Sequence, residues 1–273
     1  MRTARVIAAA VAALAVLLPA TAAAAAPSLA RFAGLPGTAW WTANGKTMVA
    51  VDGSVHADAV AGLRDALRNR GQLVRDDGTL RRHIAGADPF YQGGGFGGRC
   101  LIGFNARAGS TYYFLTSRHC VGAVASTVYA DAAATVTLGV VSAVTPSRDT
   151  ALIRYTNTTI VKPSAVNTYP GLQPITAFGM GAVGSRVYRS GPNGLRAGSI
   201  TAVNVTVNYA DGTVTGLIRT NICSQPGDSG GPLFAGTTGI GITSGGSGSC
   251  TTGGVSYYAS AQVAGTSYGV GPY

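Results

Sequence analysis

Glycine sets the grain of this chain: 40 of the 273 residues are glycine, and between them lie short runs rich in Val, Ile, Thr and Tyr. β-Branched and aromatic side chains suit a pleated surface, and glycine admits tight turns, so the pattern predicts many short strands and little helix. Strands are expected over residues 100–105, 111–116, 135–144, 150–155, 186–189, 199–209, 213–220, 231–234 and 239–243. Turns are expected at Arg107-Ala108-Gly109, Asp211-Gly212 and Gly245-Gly246. Short strands at this spacing indicate a β-barrel or sandwich.

The composition changes near residue 84, and nearly all helix-like sequence precedes that point. Arg2 and Arg5 lead an apolar run from Val6 to about Leu18, followed by Pro19 and a string of alanines with A-x-A sites. This pattern is that of an export signal over residues 1–26, cut a few residues before 26 because Pro27 disfavours cleavage after Ala26. The run is too short for a bilayer span and is broken by Pro19, so no membrane association is expected once it is removed. Residues 27–83 form a second zone. Strands over 38–43 and 47–52 flank the Asn44-Gly45 turn, and 56–73 carries Val60, Leu63 and Leu67 at helical spacing, which predicts a small α+β unit. Glycines over 93–98 make a flexible entry to the strand-rich zone, residues 84–273.

The net charge is +10, yet no basic run exceeds Arg81-Arg82 and aromatic residues do not interleave with basic ones. A nucleic-acid partner is therefore not expected. None of Cys100, Cys120, Cys223 and Cys250 lies in a CxxC pair, so a metal site is not expected and disulfides are. Four cysteines allow three pairings, of which joining sequence neighbours closes the most compact loops, and an exported protein would keep them oxidised.

The segment Cys223-Ser-Gln-Pro-Gly-Asp-Ser-Gly-Gly-Pro232 places Ser229 among glycines whose backbone freedom lets N–H groups converge beside a hydroxyl. A serine nucleophile needs a general base. Of the three histidines, His56 and His83 precede the strand-rich zone, leaving His119, just after a strand and tethered by Cys120. The base needs an orienting carboxylate. Glutamate is absent from the chain, and between His119 and Ser229 stand Asp131, Asp149, Asp211 and Asp228. Asp131 lies in an alanine-rich loop, Asp211 in a turn, and Asp228 directly precedes the serine. Asp149 stands at the mouth of the strand over 150–155 and is the best orienter.

The order His, Asp, Ser is that of the chymotrypsin fold. Thr116-Ser-Arg-His-Cys120, Asp149-Thr-Ala-Leu-Ile and Gly227-Asp-Ser-Gly-Gly-Pro232 resemble that family's three active-site motifs. The bacterial streptogrisin and α-lytic protease branch is resembled more closely, through Gly109-Ser-Thr-Tyr-Tyr-Phe-Leu-Thr116, Ile153-Arg-Tyr-Thr-Asn157 and Gly241-Ile-Thr-Ser-Gly-Gly-Ser247. The resemblance covers residues 84–273 and implies an all-β fold of two antiparallel six-stranded β-barrels, about 84–176 and 177–273, after a small α+β pro-domain. It implies a secreted serine endopeptidase with catalytic His119, Asp149 and Ser229, and oxyanion donors at the N–H groups of Gly227 and Ser229. Further implications are Ser244 supporting Asp149, a structural ion pair of Asp228 with Arg189, and disulfides Cys100–Cys120 and Cys223–Cys250. The pro-domain would assist folding and inhibit the enzyme, with maturation between His83 and Ile84.

No acid follows Asp228, so a pocket for Lys or Arg lacks its anion; the branch's glutamyl endopeptidases, which this sequence also resembles, place a histidine where Thr243 stands, and no histidine follows His119. Thr243, Ser244, Gly245, Gly246 and Gly254 are expected to bind substrate: Gly245, Gly246 and Gly254 wall a slot for large apolar or aromatic P1 residues, and 244–246 pair with the substrate backbone. The chain is expected to act on polypeptides, to need no cofactor and to be monomeric. Ser117-Arg118 stand where the family has small residues before the histidine. The alternative reading, a catalytically impaired homologue that binds peptides, rests on Arg118. Pro192-Asn193-Gly194 also departs from the family, in a loop.

Overall fold

The computed structural model describes residues 29–32, 34–76, 84–93 and 98–273. These fall into two compact units divided between residues 80 and 81. The expected export signal and His83 lie outside the described residues.

In the first unit β1 (Thr38–Ala43) and β2 (Lys46–Val51) pair antiparallel. Asn44 and Gly45 between them both have positive φ, 51° and 72°, as a two-residue hairpin turn requires. α1 (Ala57–Leu67) buries Val60, Leu63 and Leu67 against Val49 and Val51. The helix expected over 56–73 ends at Leu67. Arg68 turns to φ +45°, and the chain enters β3 (Gly71–Arg75), parallel to β2. Gly71 allows that entry, because a Cβ there would collide with the Thr47 carbonyl and the Leu67 side chain. Leu73, counted in the helix by its spacing, belongs to this strand.

The second unit begins with β4 (Pro89–Gln92), β5 (Arg99–Leu101), β6 (Phe104–Ala108), β7 (Thr111–Thr116), β8 (Thr127–Tyr129), β9 (Thr137–Thr145) and β10 (Thr150–Tyr155). They form one sheet in the order β5-β4-β8-β9-β10-β7-β6. Its two end strands are consecutive in sequence, separated by Ile102-Gly103 alone, so the sheet closes on itself and the strand expected over 100–105 is divided at the closure. Counted as one bent strand, β5 and β6 make this a six-stranded barrel. Phe90, Ile102, Phe114, Val128, Leu138 and Ile153 fill its interior.

β11 (Ala165–Asn167) and β12 (Leu172–Pro174) form a small hairpin leading to β13 (Ala177–Phe178), β14 (Arg186–Arg189), β15 (Arg196–Tyr209), β16 (Gly212–Thr220), β17 (Pro232–Ala235), β18 (Thr238–Ser249) and β19 (Gly253–Ser260). The ring β18-β17-β14-β15-β16-β19 closes through β18–β19 pairing, again six strands. β13 adds a short parallel pairing outside the ring, a departure from the all-antiparallel expectation. Val187, Ile200, Ile218, Leu233, Ile240 and Tyr258 fill this barrel. A third cluster, including Phe104, Leu115, Leu152, Leu217, Phe234 and Ile242, joins the two barrels. With each fully buried large side chain contributing about 1.5–3 kcal/mol, the barrels are held as one body. α2 (Ala261–Tyr268) is the last element, its N-cap Ser260 accepting from Val263 N at 3.3 Å and Gly269 closing it at φ +66°. This mostly β architecture is the pair of six-stranded barrels that the sequence resemblance implies.

Candidate active site

His119 lies in a 3-10 turn, Arg118–Cys120, that follows β7. The disulfide Cys100–Cys120 fixes the turn to β5, and buried Ser117 donates from Oγ to the Thr243 carbonyl at 2.6 Å, fixing it to the second barrel. Asp149 follows a second 3-10 turn, Pro146–Arg148, and opens β10 with φ +51°, a left-handed conformation that aspartate tolerates better than most residues.

That conformation points a nearly buried carboxylate, 5% exposed, at His119. His119 Nδ1 lies 2.9 Å from Oδ2 and 3.1 Å from Oδ1, the His119 amide donates to Oδ1 at 3.0 Å, and Ser244 Oγ donates to Oδ2 at 2.6 Å. A buried carboxylate is tolerable when its lone pairs are occupied, as these are. Facing an acceptor-only group, Nδ1 carries the proton and leaves the Nε2 lone pair free. Burial lowers the imidazole pKa, but the hydrogen bond to Asp149, its charge and that of Asp211 outweigh burial and Arg118, so the net shift is upward from 6.5.

Three other aspartates in this unit have different partners. Asp131 ties its own loop through Thr135 and Val136, and Asp88 accepts from the Ala85 amide and from Asn167. Asp228 Oδ2 accepts from the Gln225 amide at 2.8 Å and lies 2.9 Å from Arg189 Nη1, with both side chains out of solvent.

Ser229 is set between Gly227 at φ +89° and Gly230 at φ +79°. A Cβ on Gly230 would collide with Thr116 Oγ1 and the Leu101 carbonyl, so the loop can sit this close only as glycine. Leu101 joins the pieces: its amide donates to the Ser229 carbonyl at 2.8 Å, its carbonyl accepts from Thr116 Oγ1 at 2.9 Å, and its neighbour Cys100 is bonded to the cysteine after His119. Among the described residues, Ser229 Oγ and His119 share no hydrogen bond, and the amides of Gly227 and Ser229 donate to no protein acceptor. Such contacts often tighten only when substrate is bound.

Beside His119 is a cavity of about 670 Å³ bounded by Ser244, Gly245 and Gly246 on one side and Tyr209 and Asp211 on another. One edge of β18 pairs with β19 through Gly245 and Gly246, while its pairing with β17 stops at Ile242, so the other edge is open from Ser244 onward. A Cβ on Gly245 would meet Tyr209 Oη at 2.7 Å, whereas one on Gly246 would collide with Ser224 Oγ: the two glycines face opposite sides of the strand. Gly254 lies on β19 opposite Gly248 and close to Cys223, which is bonded to Cys250. Thr243 is buried, its Oγ1 donating to the Gly231 carbonyl at 3.0 Å.

Arg118 turns back on its own loop, Nη1 donating to the Val121 carbonyl at 2.9 Å. Cys100, His119 and Cys120 bring possible ligand atoms within 4.8 Å of one another, but both sulfurs are spent in the disulfide and none is a thiolate. Tyr209 was not legible as a site residue, and Asp211 read only as a turn. The Tyr-Ala-Asp-Gly turn is visible in sequence, but the approach of Tyr209 to Gly245 is a tertiary contact between strands distant in sequence.

A sequence profile described as Trypsin matches residues 108–265. Streptogrisin-D of Streptomyces griseus is 39% identical over 251 residues, covering 89% of this chain and 62% of that protein, so the chain spans less than two thirds of this relative. Serine protease 2 of Streptomyces fradiae is 47% identical over 176 residues, 63% of this chain and 99% of that protein. Among solved structures, a glutamic-acid-specific serine protease that uses a histidine triad in substrate binding is 36% identical, with TM-score 0.65, 70% of this chain and all of that one covered.

Proposed function

This chain belongs to the trypsin family of serine proteases, and from that premise we propose that it is a secreted endopeptidase acting through His119, Asp149 and Ser229. The observation that carries the proposal is the double engagement of His119 Nδ1 by a carboxylate whose own lone pairs are satisfied. Nε2 is then the only basic nitrogen, and it takes the proton as Ser229 Oγ attacks the scissile carbonyl carbon. Negative charge moves to the carbonyl oxygen, where the unspent N–H groups of Gly227 and Ser229 receive it. The imidazolium, stabilised by Asp149, returns the proton to the departing amine. Water then repeats the sequence on the acyl-enzyme.

The open edge at Ser244–Gly246 suits pairing with an extended peptide backbone. For P1, the side carrying Gly246 of β18 and Gly254 of β19 takes large apolar or aromatic residues. A histidine triad for glutamate is not available, because His56 and His83 precede the proposed cleavage point and His119 alone remains in residues 84–273. Residues 27–83 serve as a pro-domain that assists folding and inhibits, removed by cleavage between His83 and Ile84; Ile84 is itself buried, its amide donating to the Val161 carbonyl. Arg118, folded onto Val121, leaves room for an active enzyme. Secretion is supported by the two disulfides and by the N-terminal sequence, and no helix among the described residues is long and apolar enough to cross a membrane.

A fluorophosphonate probe tests the reading. Processed wild type should be labelled and Ser229→Ala should not, with peptide hydrolysis falling by roughly 10⁴-fold or more in the variant. Correctly processed wild type that resists labelling would overturn it. On peptides differing at P1, Phe and Leu should exceed Ala, Glu and Arg.

A further inference from the structure

Asp211 stands at the tip of the β15–β16 hairpin, exposed and without an ion-pair partner among the described residues. It borders the same cavity as His119. Of the other charged groups there, Asp149 is committed to His119 and Ser244, and Arg118 is bonded to Val121. Asp211 is thus the one uncommitted charge on the wall, and its field reaches the imidazole, where it favours the protonated form. Tyr209, two residues earlier, lies over Gly245 and gives the cavity an aromatic floor.

The strand edge decides which substrate residue would enter. Gly245 faces Tyr209 and Gly246 faces Ser224, so the two sides of β18 are distinct walls. Side chains of a paired extended peptide alternate in the same way. If P1 enters on the Ser224 side, P2 points into the cavity between His119 and Tyr209. We propose that this cavity is a subsite for a basic P2 side chain, its aliphatic stem lying on Tyr209 and its cationic end reaching Asp211. A long cationic side chain suits such a wall, burying its methylenes and leaving its charge near solvent.

This inference rests on the proposed protease reading and on pairing of the peptide with Ser244–Gly246. It is tested with the processed secreted protein and two peptides sharing one apolar P1, with Lys or Gln at P2. The ratio of their kcat/KM values is an internal reference in each variant. An exposed pair contributes little, so the wild-type ratio should favour Lys by about threefold to fivefold at neutral pH and low salt. The ratio should fall to about one in Asp211→Asn and invert in Asp211→Lys. A ratio unchanged by both substitutions, or one that responds only when Lys is moved to P3, overturns the inference while labelling of Ser229 shows the protease reading intact. Absence of labelling overturns both.

Discussion

His119 is pulled in two directions. Burial disfavours its cation, whereas the hydrogen bond and charge of Asp149, with a further contribution from Asp211, favour it and prevail over the opposing charge of Arg118. Because the folded pKa lies above the ordinary 6.5, protonation of His119 stabilises the folded state below the ordinary value, and that contribution is lost as pH rises through the folded value. The active form is the neutral imidazole, so the acid limb of kcat/KM should have its midpoint above 6.5. Asp211→Asn removes a favourable charge and should move that midpoint down; Arg118→Gln removes an unfavourable one and should move it up. A pH profile of the two variants decides, and a midpoint that rises in Asp211→Asn would contradict this account. The pairing of His119 with Asp149 was legible because the competing aspartates could be assigned to loops and turns. The influence of Asp211 was not, since it depends on how a hairpin leans across the cavity.

At the scale of elements, the ion pair of Arg189 and Asp228 links strand β14 to the loop that carries Ser229. Arg189 Nε, Nη2 and Asp228 Oδ1 are buried without hydrogen-bond partners, so this is a charge pair with few supporting bonds. Removing one partner would strand the other in a place with no solvent. Arg189→Met should therefore lower unfolding free energy by about 3–5 kcal/mol, and Arg189→Met with Asp228→Asn should recover part of it, because no unpaired charge remains. Urea unfolding of the three proteins measures this, and a double variant no more stable than the single would refute it. Sequence pattern alone did not reveal this pair, since an arginine within a strand gives no sign of facing inward; it was legible only through family resemblance. Elements show the same limit. The sequence of α2, Ala-Gln-Val-Ala-Gly-Thr-Ser-Tyr, predicts no helix because it has weak helix formers and little apolar stripe, although Ser260 and Gly269 are cap residues. β19 opens on two glycines, which weakens the strand pattern, and no strand is expected there from sequence. Strands such as Thr111–Thr116 and Thr150–Tyr155 coincide with the bounds expected from sequence because apolar residues crowd both sides of them.

For the whole molecule, pairings distant in sequence govern folding. β5 and β6 complete a barrel only after β7 to β10 have been placed, and Leu101 meets Ser229 across most of the protease sequence. α2 returns to the first barrel, where Tyr268 Oη bonds with Thr150 and Thr145. Loops of this kind must be closed before their contacts repay the entropy, so folding is expected to be slow. The first unit is different: a hairpin, one helix and a parallel strand give it a local core of its own. A fast-forming unit ahead of a slow one fits the folding-assistant role proposed for residues 27–83. Two chains should therefore be compared behind the same export signal, one with residues 27–83 and one without. The shorter chain should reach the medium with labelling of Ser229 reduced to background, and co-expression of residues 27–83 as a separate polypeptide should restore it. Equal labelling of the two chains would mean that residues 84–273 cross their folding barrier unaided, and residues 27–83 would then need another role.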